Sequence, residues 1–258
     1  GVAAVMEIAH KLSDLHKKKK IKLKYNVIFA IWSAEEIGIL GSNHFVKTFK
    51  KKHKIKKLNQ KIKAYINLDM VGRLKKSLIV QSVSSSKKWP ALVEELGIKN
   101  NLDIITQKDP YVPTDAMTFY MGGTPTLSLF TGAHGDYHSP RDTWDKLNYE
   151  GLKKITNFAF DVTTRIATSR SLLGYSEVKG SRKRKGGSRK FRVFLGTIPD
   201  YSQEGVTGVR LSGSAKGGPA SKAGVKNGDI IIKLAGINIE SLYDYVYVLQ
   251  ALKPKKEV

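Results

Sequence analysis

Apolar residues open the chain at helical spacing. Val2, Val5, Ile8, Ala9, Leu12 and Leu15 fall on one stripe, and a lysine run over 17–20 closes the pattern. Residues 25–32 then form a nearly continuous stretch of β-formers, which predicts a strand buried on both faces. Two further runs of this kind, 64–68 and 125–130, end respectively in Asp69 and in a Gly-rich loop holding Asp136, Tyr137 and His138. Helical spacing returns over 45–52, over 89–96 and from Asn148 onward, where Leu152, Ile155, Phe158, Ala159, Val162 and Ile166 share one face. Strands alternating with helices predict an α/β fold around a mostly parallel sheet. In such sheets ligands bind outside the carboxyl ends of the strands. Glu35, Glu36, Asp69 and His138 all fall just past expected strand ends.

The texture changes at Gly174. Residues 179–190 hold seven basic side chains among Gly and Ser and no acid, the composition of a solvated linker. The expected organisation is therefore a first domain over 1–173, a basic linker over 174–190 and a small β-rich domain over 191–258. That last segment has short β runs, a Gly-Pro-Ala turn and a helical stretch over 242–252.

Composition adds constraints rather than a direction. Hydrophobic residues at 41% and charged residues at 26% match an ordinary folded chain, and no apolar run is long enough for a membrane helix. With no cysteine, disulfides, thiolate metal sites and cysteine nucleophiles are excluded together, so any metal must sit on His and carboxylates. The 45 Lys and Arg against 22 Asp and Glu give a net charge of +23. Those lysines are spread along the whole chain without the aromatic-rich words of RNA-binding modules, so no dedicated nucleic-acid site is expected.

Two adjacent carboxylates at a strand-to-helix turn point in different directions, so one can ligate a metal while the other reaches a water beside it. Asp69 and His138 would complete a set of oxygen and imidazole donors that zinc accepts. The same spacing also suits a Glu-Glu pair at a helix N-terminus and an Asp that merely ends a strand.

Three words separate these readings: Ile31-Trp32-Ser33-Ala34-Glu35-Glu36-Ile37-Gly38-Ile39-Leu40-Gly41-Ser42, Asn67-Leu68-Asp69-Met70-Val71-Gly72-Arg73 and Tyr137-His138-Ser139-Pro140-Arg141-Asp142-Thr143. Together, and in this order, they resemble metallopeptidase family twenty-eight, the di-zinc aminopeptidases. The resemblance implies a three-layer α/β/α zinc-exopeptidase-like domain. It implies Glu35 as general base, Glu36 as ligand of one zinc with His138 beside it, and Asp69 as ligand of the other. Tyr137 is similar to a tyrosine that helps hold the oxyanion. Asp115, in Thr114-Asp115-Ala116-Met117-Thr118-Phe119, is similar to an aspartate that hydrogen-bonds the base, with Ala116 where the family usually has histidine. The family's first zinc-binding histidine and its bridging aspartate precede the opening helix. The resemblance therefore places them before Gly1 and implies two zinc ions in a complete protein, and a depleted or single site in this chain.

Gly205-Val206-Thr207-Gly208-Val209-Arg210-Leu211, then Gly218-Pro219-Ala220-Ser221-Lys222-Ala223-Gly224-Val225-Lys226-Asn227-Gly228-Asp229-Ile230-Ile231, resemble the PDZ domains of exported bacterial proteases. Such domains add a peptide strand to a sheet edge and cradle its terminal carboxylate on backbone amides. Leu195, Gly196 and Thr197 are the matching loop residues. The last strands of such a domain are expected beyond Val258.

The expected function is a zinc-dependent aminopeptidase. It would hydrolyse N-terminal residues of peptides through a metal-activated water with Glu35 as base, and carry a PDZ module that binds or packs. Its partners would be peptide substrates and, at the module, a peptide C-terminus. A periplasmic or extracellular location is implied by the resemblance alone. The alternatives are a non-catalytic binding relative of the same fold and a single-zinc enzyme like the glutaminyl cyclases.

Overall fold

The computed structural model describes residues 1–252 other than 37, 170, 172, 179–192, 202 and 204. The opening stripe forms α1 (Val2–Lys17), which buries Ala4, Ile8 and Leu12. The other helices of the first domain are α2 (Leu40–Lys52), α3 (Trp89–Lys99), α4 (Asp115–Met121) and α5 (Tyr149–Thr168). The boundaries of α4 and α5 follow from capping. Thr114 accepts a hydrogen bond from the Ala116 amide and Asn148 one from the Gly151 amide, and each satisfies a donor the helix leaves orphaned.

Four strands form the central sheet: β1 (Tyr65–Leu68), β2 (Ser77–Gln81), β3 (Asp103–Thr106) and β4 (Thr126–Phe130), in the order β1-β4-β2-β3. β1 runs parallel to β4 and β2 to β3, whereas β2 and β4 are antiparallel. The sheet is thus parallel at both flanks with one antiparallel joint between them.

Period-two alternation sorts the two faces. Ile66, Leu68, Leu78, Val80, Leu127 and Leu129 meet Ile8 and Leu12 of α1, Val93 and Leu96 of α3, and Ile155, Phe158, Ala159 and Val162 of α5 in the main core. On the opposite face Tyr65 joins Val46 of α2 and Phe119 of α4 in a smaller core, its ring stacked on Phe119 at 3.8 Å. The three layers are helix, sheet and helix. Toward the end of that second face lie Gln81, Ser128 and Phe130, all buried.

One expected element does not form. Residues 25–32 form no strand of the sheet. Ile21, Leu23 and Val27 pack on the main core, and the Lys24 and Tyr25 amides reach the Ala167 carbonyl at 2.8 and 3.2 Å. Beyond them Ile28 is 62% and Ile31 63% exposed. β-propensity expresses a fit to a half-buried pleated surface, and a strand also needs a neighbour for its ladder. No described strand pairs with this segment.

The second module consists of β5 (Thr197–Pro199), β6 (Val209–Ser214), α6 (Pro219–Lys222), β7 (Ile230–Ile231), β8 (Lys233–Leu234), β9 (Ile237–Asn238) and α7 (Leu242–Ala251). β5, β6 and β7 make an antiparallel sheet and β8 pairs with β9 across a two-residue turn. Ala235 and Gly236 in that turn both have positive φ, the twist that a tight hairpin requires. Val209, Leu211, Ile239, Leu242, Tyr245 and Val248 form the core of the module.

The boundary between the units is less abrupt than composition suggests. Leu173 packs on the main core, the Ser176 amide donates to the Ser85 carbonyl at 2.8 Å, and Val178 bonds both Tyr120 and Tyr111. The first residues of the 174–190 segment therefore adhere to the first domain, while 179–190 lies outside the described residues.

Candidate active site

Glu35 and Glu36 sit on a tight turn that leads into α2. The Gly38 and Ile39 amides both donate to the Glu35 carbonyl, at 3.0 and 2.7 Å, and the Gly41 amide donates to Ser33 at 3.1 Å. Gly41 is required by this close approach, because a Cβ there would lie 2.5 Å from the Ser33 carbonyl oxygen. Asp69 follows β1 directly, and its amide extends the parallel ladder to the Leu129 carbonyl at 3.1 Å. His138 lies in the loop after β4. The parallel pairing of β1 and β4 delivers Asp69 and this loop to one end of the sheet.

The two distant words meet in a single contact: His138 Nε2 lies 2.8 Å from Glu36 Oε1, across 102 residues of sequence. Glu35, Glu36, Asp69, Tyr137 and His138 line one cavity of about 640 Å³, within the size range of small-ligand pockets. Burial and the charges of Glu36, Asp69 and Asp115 push the Glu35 carboxyl up to about 8. Burial and Glu36 likewise raise Asp69, and burial raises Asp115, with the Ser42 hydroxyl opposing that shift. Asp115 acts on Glu35 through its charge. Its Oδ1 is buried and has no hydrogen-bond partner. Tyr137 stacks on the His138 ring at 3.7 Å, and burial raises its phenol.

A crowd of carboxylates facing one imidazole fits a divalent cation in kind, because a positive charge would relieve the repulsion that holds their protons on. It falls short in number. Among the described residues no three His, Asp or Glu side chains come close enough together to hold an ion by themselves.

The loop carrying His138 is clamped by an ion network that the spacing of residues does not reveal. Arg73 pairs with both Asp136 and Asp142, and Lys146 and Arg141 reach Asp136 at 2.9 and 3.7 Å. Arg73 and Arg141 thus brace this loop. His134, in the same loop, is half-buried with Nε2 at 3.9 Å from Asp142. The signal that could have found the clamp is the alternation of Asp136, Arg141, Asp142 and Lys146 around the histidine.

Strain collects at the same place. Ala34, Ile39, Met70 and His138 have φ values of 58, 54, 47 and 52°, each next to or within the candidate site. Left-handed backbone costs a non-glycine residue about 1–2 kcal/mol, and such residues gather where function over-determines the geometry. Ala34 is exposed and loses no packing when trimmed, so Ala34→Gly is expected to raise stability by about 1 kcal/mol. A thermal melt checks this, and an unchanged or lower midpoint would contradict the strained turn.

In the C-terminal module the expected peptide loop is held by its own chain. The Leu195 carbonyl accepts from the Ala220 amide at 2.8 Å, and the Gly196 carbonyl accepts from Ala215 at 2.6 Å. The Thr197 hydroxyl hydrogen-bonds the Tyr245 hydroxyl and ties β5 to α7. Sequence reasoning missed two residues of this module at the candidate site: Tyr201 and Val246, which line the cavity.

Residues 1–163 match the model of peptidase family M28, and residues 211–258 match a PDZ domain. The chain belongs to peptidase family M28. A probable leucine aminopeptidase 2 from Aspergillus oryzae is 28% identical over 62% of this chain and 36% of its own length. Among solved structures, the LapA aminopeptidase of Legionella pneumophila superposes with a TM-score of 0.56 at 19% identity, covering 66% of this chain and 46% of that one. BSAP, a zinc aminopeptidase from Bacillus subtilis, does so with 0.53 at 20%, covering 65% and 41%. At these identities the superpositions speak for the fold. The chain spans about a third of the fungal relative and under half of each solved structure. No helix among the described residues is long and apolar enough to cross a membrane.

Proposed function

We propose that this chain carries the catalytic half-site of a zinc aminopeptidase, with Glu35 as general base, Glu36 and His138 as ligands of one zinc and Asp69 as ligand of a second. The observation that carries this reading is the meeting of Glu36 with His138 at 2.8 Å on the rim of a cavity that also holds Glu35 and Asp69. Zinc, when bound, supplies Lewis acidity toward water and the scissile carbonyl.

The chain's own residues do the rest. Glu35, whose proton affinity is raised by burial and three neighbouring carboxylates, accepts a proton from the attacking water and returns it to the leaving amine. Burial keeps this carboxyl more basic than a solvated one, which suits it to take a proton. Tyr137 offers its hydroxyl to the oxygen on which charge develops, held in place by stacking on His138. Asp115 keeps Glu35 basic through its charge. The anionic cavity attracts the ammonium group at a peptide's N-terminus, which makes the enzyme an exopeptidase.

The test is turnover of aminoacyl-nitroanilides by the complete protein, with the expected ligands upstream of Gly1, supplied with zinc. The expected result is release that a chelator abolishes and zinc restores, with no cleavage of peptides whose N-terminus is acetylated. Equal cleavage of blocked and free peptides would defeat the exopeptidase reading.

A further inference from the structure

The chain turns after β5 and brings Tyr201 to the lining of the candidate cavity. The turn is braced from within: the Asp200 amide donates to the Arg210 carbonyl at 2.8 Å, the Gln203 side chain donates to the Gly208 carbonyl at 2.8 Å, and it accepts from the Arg210 amide at 2.6 Å. Tyr201 on this turn is fastened to the first domain. Its carbonyl accepts from Gln81 Nε2 at 3.0 Å, and its ring meets Phe130 edge-on at 6.2 Å. Gln81 is itself buried, and the same amide nitrogen donates to Gln107 at 2.8 Å, so the anchor is held from both sides.

The contact continues beyond Tyr201. Val112 of the first domain packs on the core of the module, Tyr111 meets Tyr243 of α7 at 6.3 Å, and Val246 of α7 faces the cavity. The exposed end of the sheet's second face, left uncovered by α2 and α4, is thus roofed by the second module. Val112, Phe130, Tyr201 and Val246 add apolar lining to the cavity that holds the carboxylates.

We propose that the PDZ-like module is part of the catalytic cavity, with Tyr201 and Val246 forming an outer wall that limits the site to short peptides. The identity of the ligand rests on the aminopeptidase reading, whereas the wall rests on the contacts above. A peptide entering N-terminus first meets this wall after its leading residues, and a longer chain must displace it.

The test uses the complete protein, with the expected ligands upstream of Gly1, supplied with zinc and leucine-headed peptides of two, four and eight residues. Turnover is followed for the natural peptides, and calorimetry follows binding of the same lengths with a reduced first peptide bond. Wild type is expected to favour the dipeptide over the octapeptide about tenfold or more, and Tyr201→Ala to cut that preference about threefold or more through KM of the octapeptide. Tyr201→Phe keeps the wild-type preference, because the ring and not the hydroxyl forms the wall. Val246→Trp narrows the entrance from the other element and raises the preference. A wild type indifferent to length overturns the proposal, as does an unchanged preference in a folded Tyr201→Ala. Should that variant not fold, an unchanged preference in Val246→Trp overturns it. Length-dependent binding without turnover would sink the aminopeptidase reading and leave the wall standing, and no binding by any peptide would end both.

Discussion

Glu35→Gln in the zinc-supplied protein is expected to lower kcat on a leucyl-nitroanilide by roughly 10²–10⁴-fold with little change in KM. Glutamine keeps the shape and the hydrogen-bonding reach of the side chain but cannot take a proton, so the variant separates base chemistry from architecture. In the proposed division of labour Glu35 is not a metal ligand, and the variant's zinc content should equal that of wild type. Glu36→Gln removes charge from the other side of the turn and should lose zinc together with activity. A Glu35→Gln variant that turns over at the wild-type rate removes Glu35 from the role of base. One that loses zinc reassigns it to the metal.

The second large effect is on stability in metal-free protein. Glu35 has its pKa raised from 4.5 to about 8 by burial and by Glu36, Asp69 and Asp115. A carboxyl with a raised folded pKa keeps its proton in the folded state after the unfolded chain has released it. Stability is therefore highest below about pH 4.5 as far as this group is concerned, and drains away as pH rises toward about 8. Glu35→Gln is neutral at every pH and escapes this loss. At pH 8 the chelator-treated variant should exceed chelator-treated wild type by roughly 2–4 kcal/mol, and the difference should shrink toward pH 5. Denaturant titrations across that window check it. Equal slopes with pH in both proteins would mean that Glu35 is ordinarily solvated. Catalysis and stability are thus expected to move in opposite directions at one residue, as befits a buried carboxylate kept for chemistry.

Much of this chain is legible one element at a time. The stripe from Val2 to Leu15 becomes α1, the run from Asn148 becomes α5 with its cap, and the runs before Asp69 and His138 become β1 and β4. These succeed because helix period, cap chemistry and buried β-formers are local properties. The segment 25–32 has equally strong local character and still fails to join the sheet, since pairing depends on which neighbour lies alongside. Residue words carried the family, because the acidic pair, the Asp69 word and the His138 word occur in a fixed order that composition and spacing alone would leave ambiguous.

What the sequence by itself determined is the α/β class, the small β-rich C-terminal region, the family, and the group of side chains to be sought at one end of the sheet. The tertiary structure alone decided that Glu36 and His138 touch, that Glu35 shares one cavity with Glu36 and Asp69 and is pushed up to about 8 by burial and by Glu36, Asp69 and Asp115, and that Arg73 clamps the histidine loop. It also brought Tyr201 to the lining of that cavity. Each of these depends on distance and burial between segments far apart in the chain. Helix and strand periodicities encode which way a side chain faces within its own element, but they carry no information about which other element it will face.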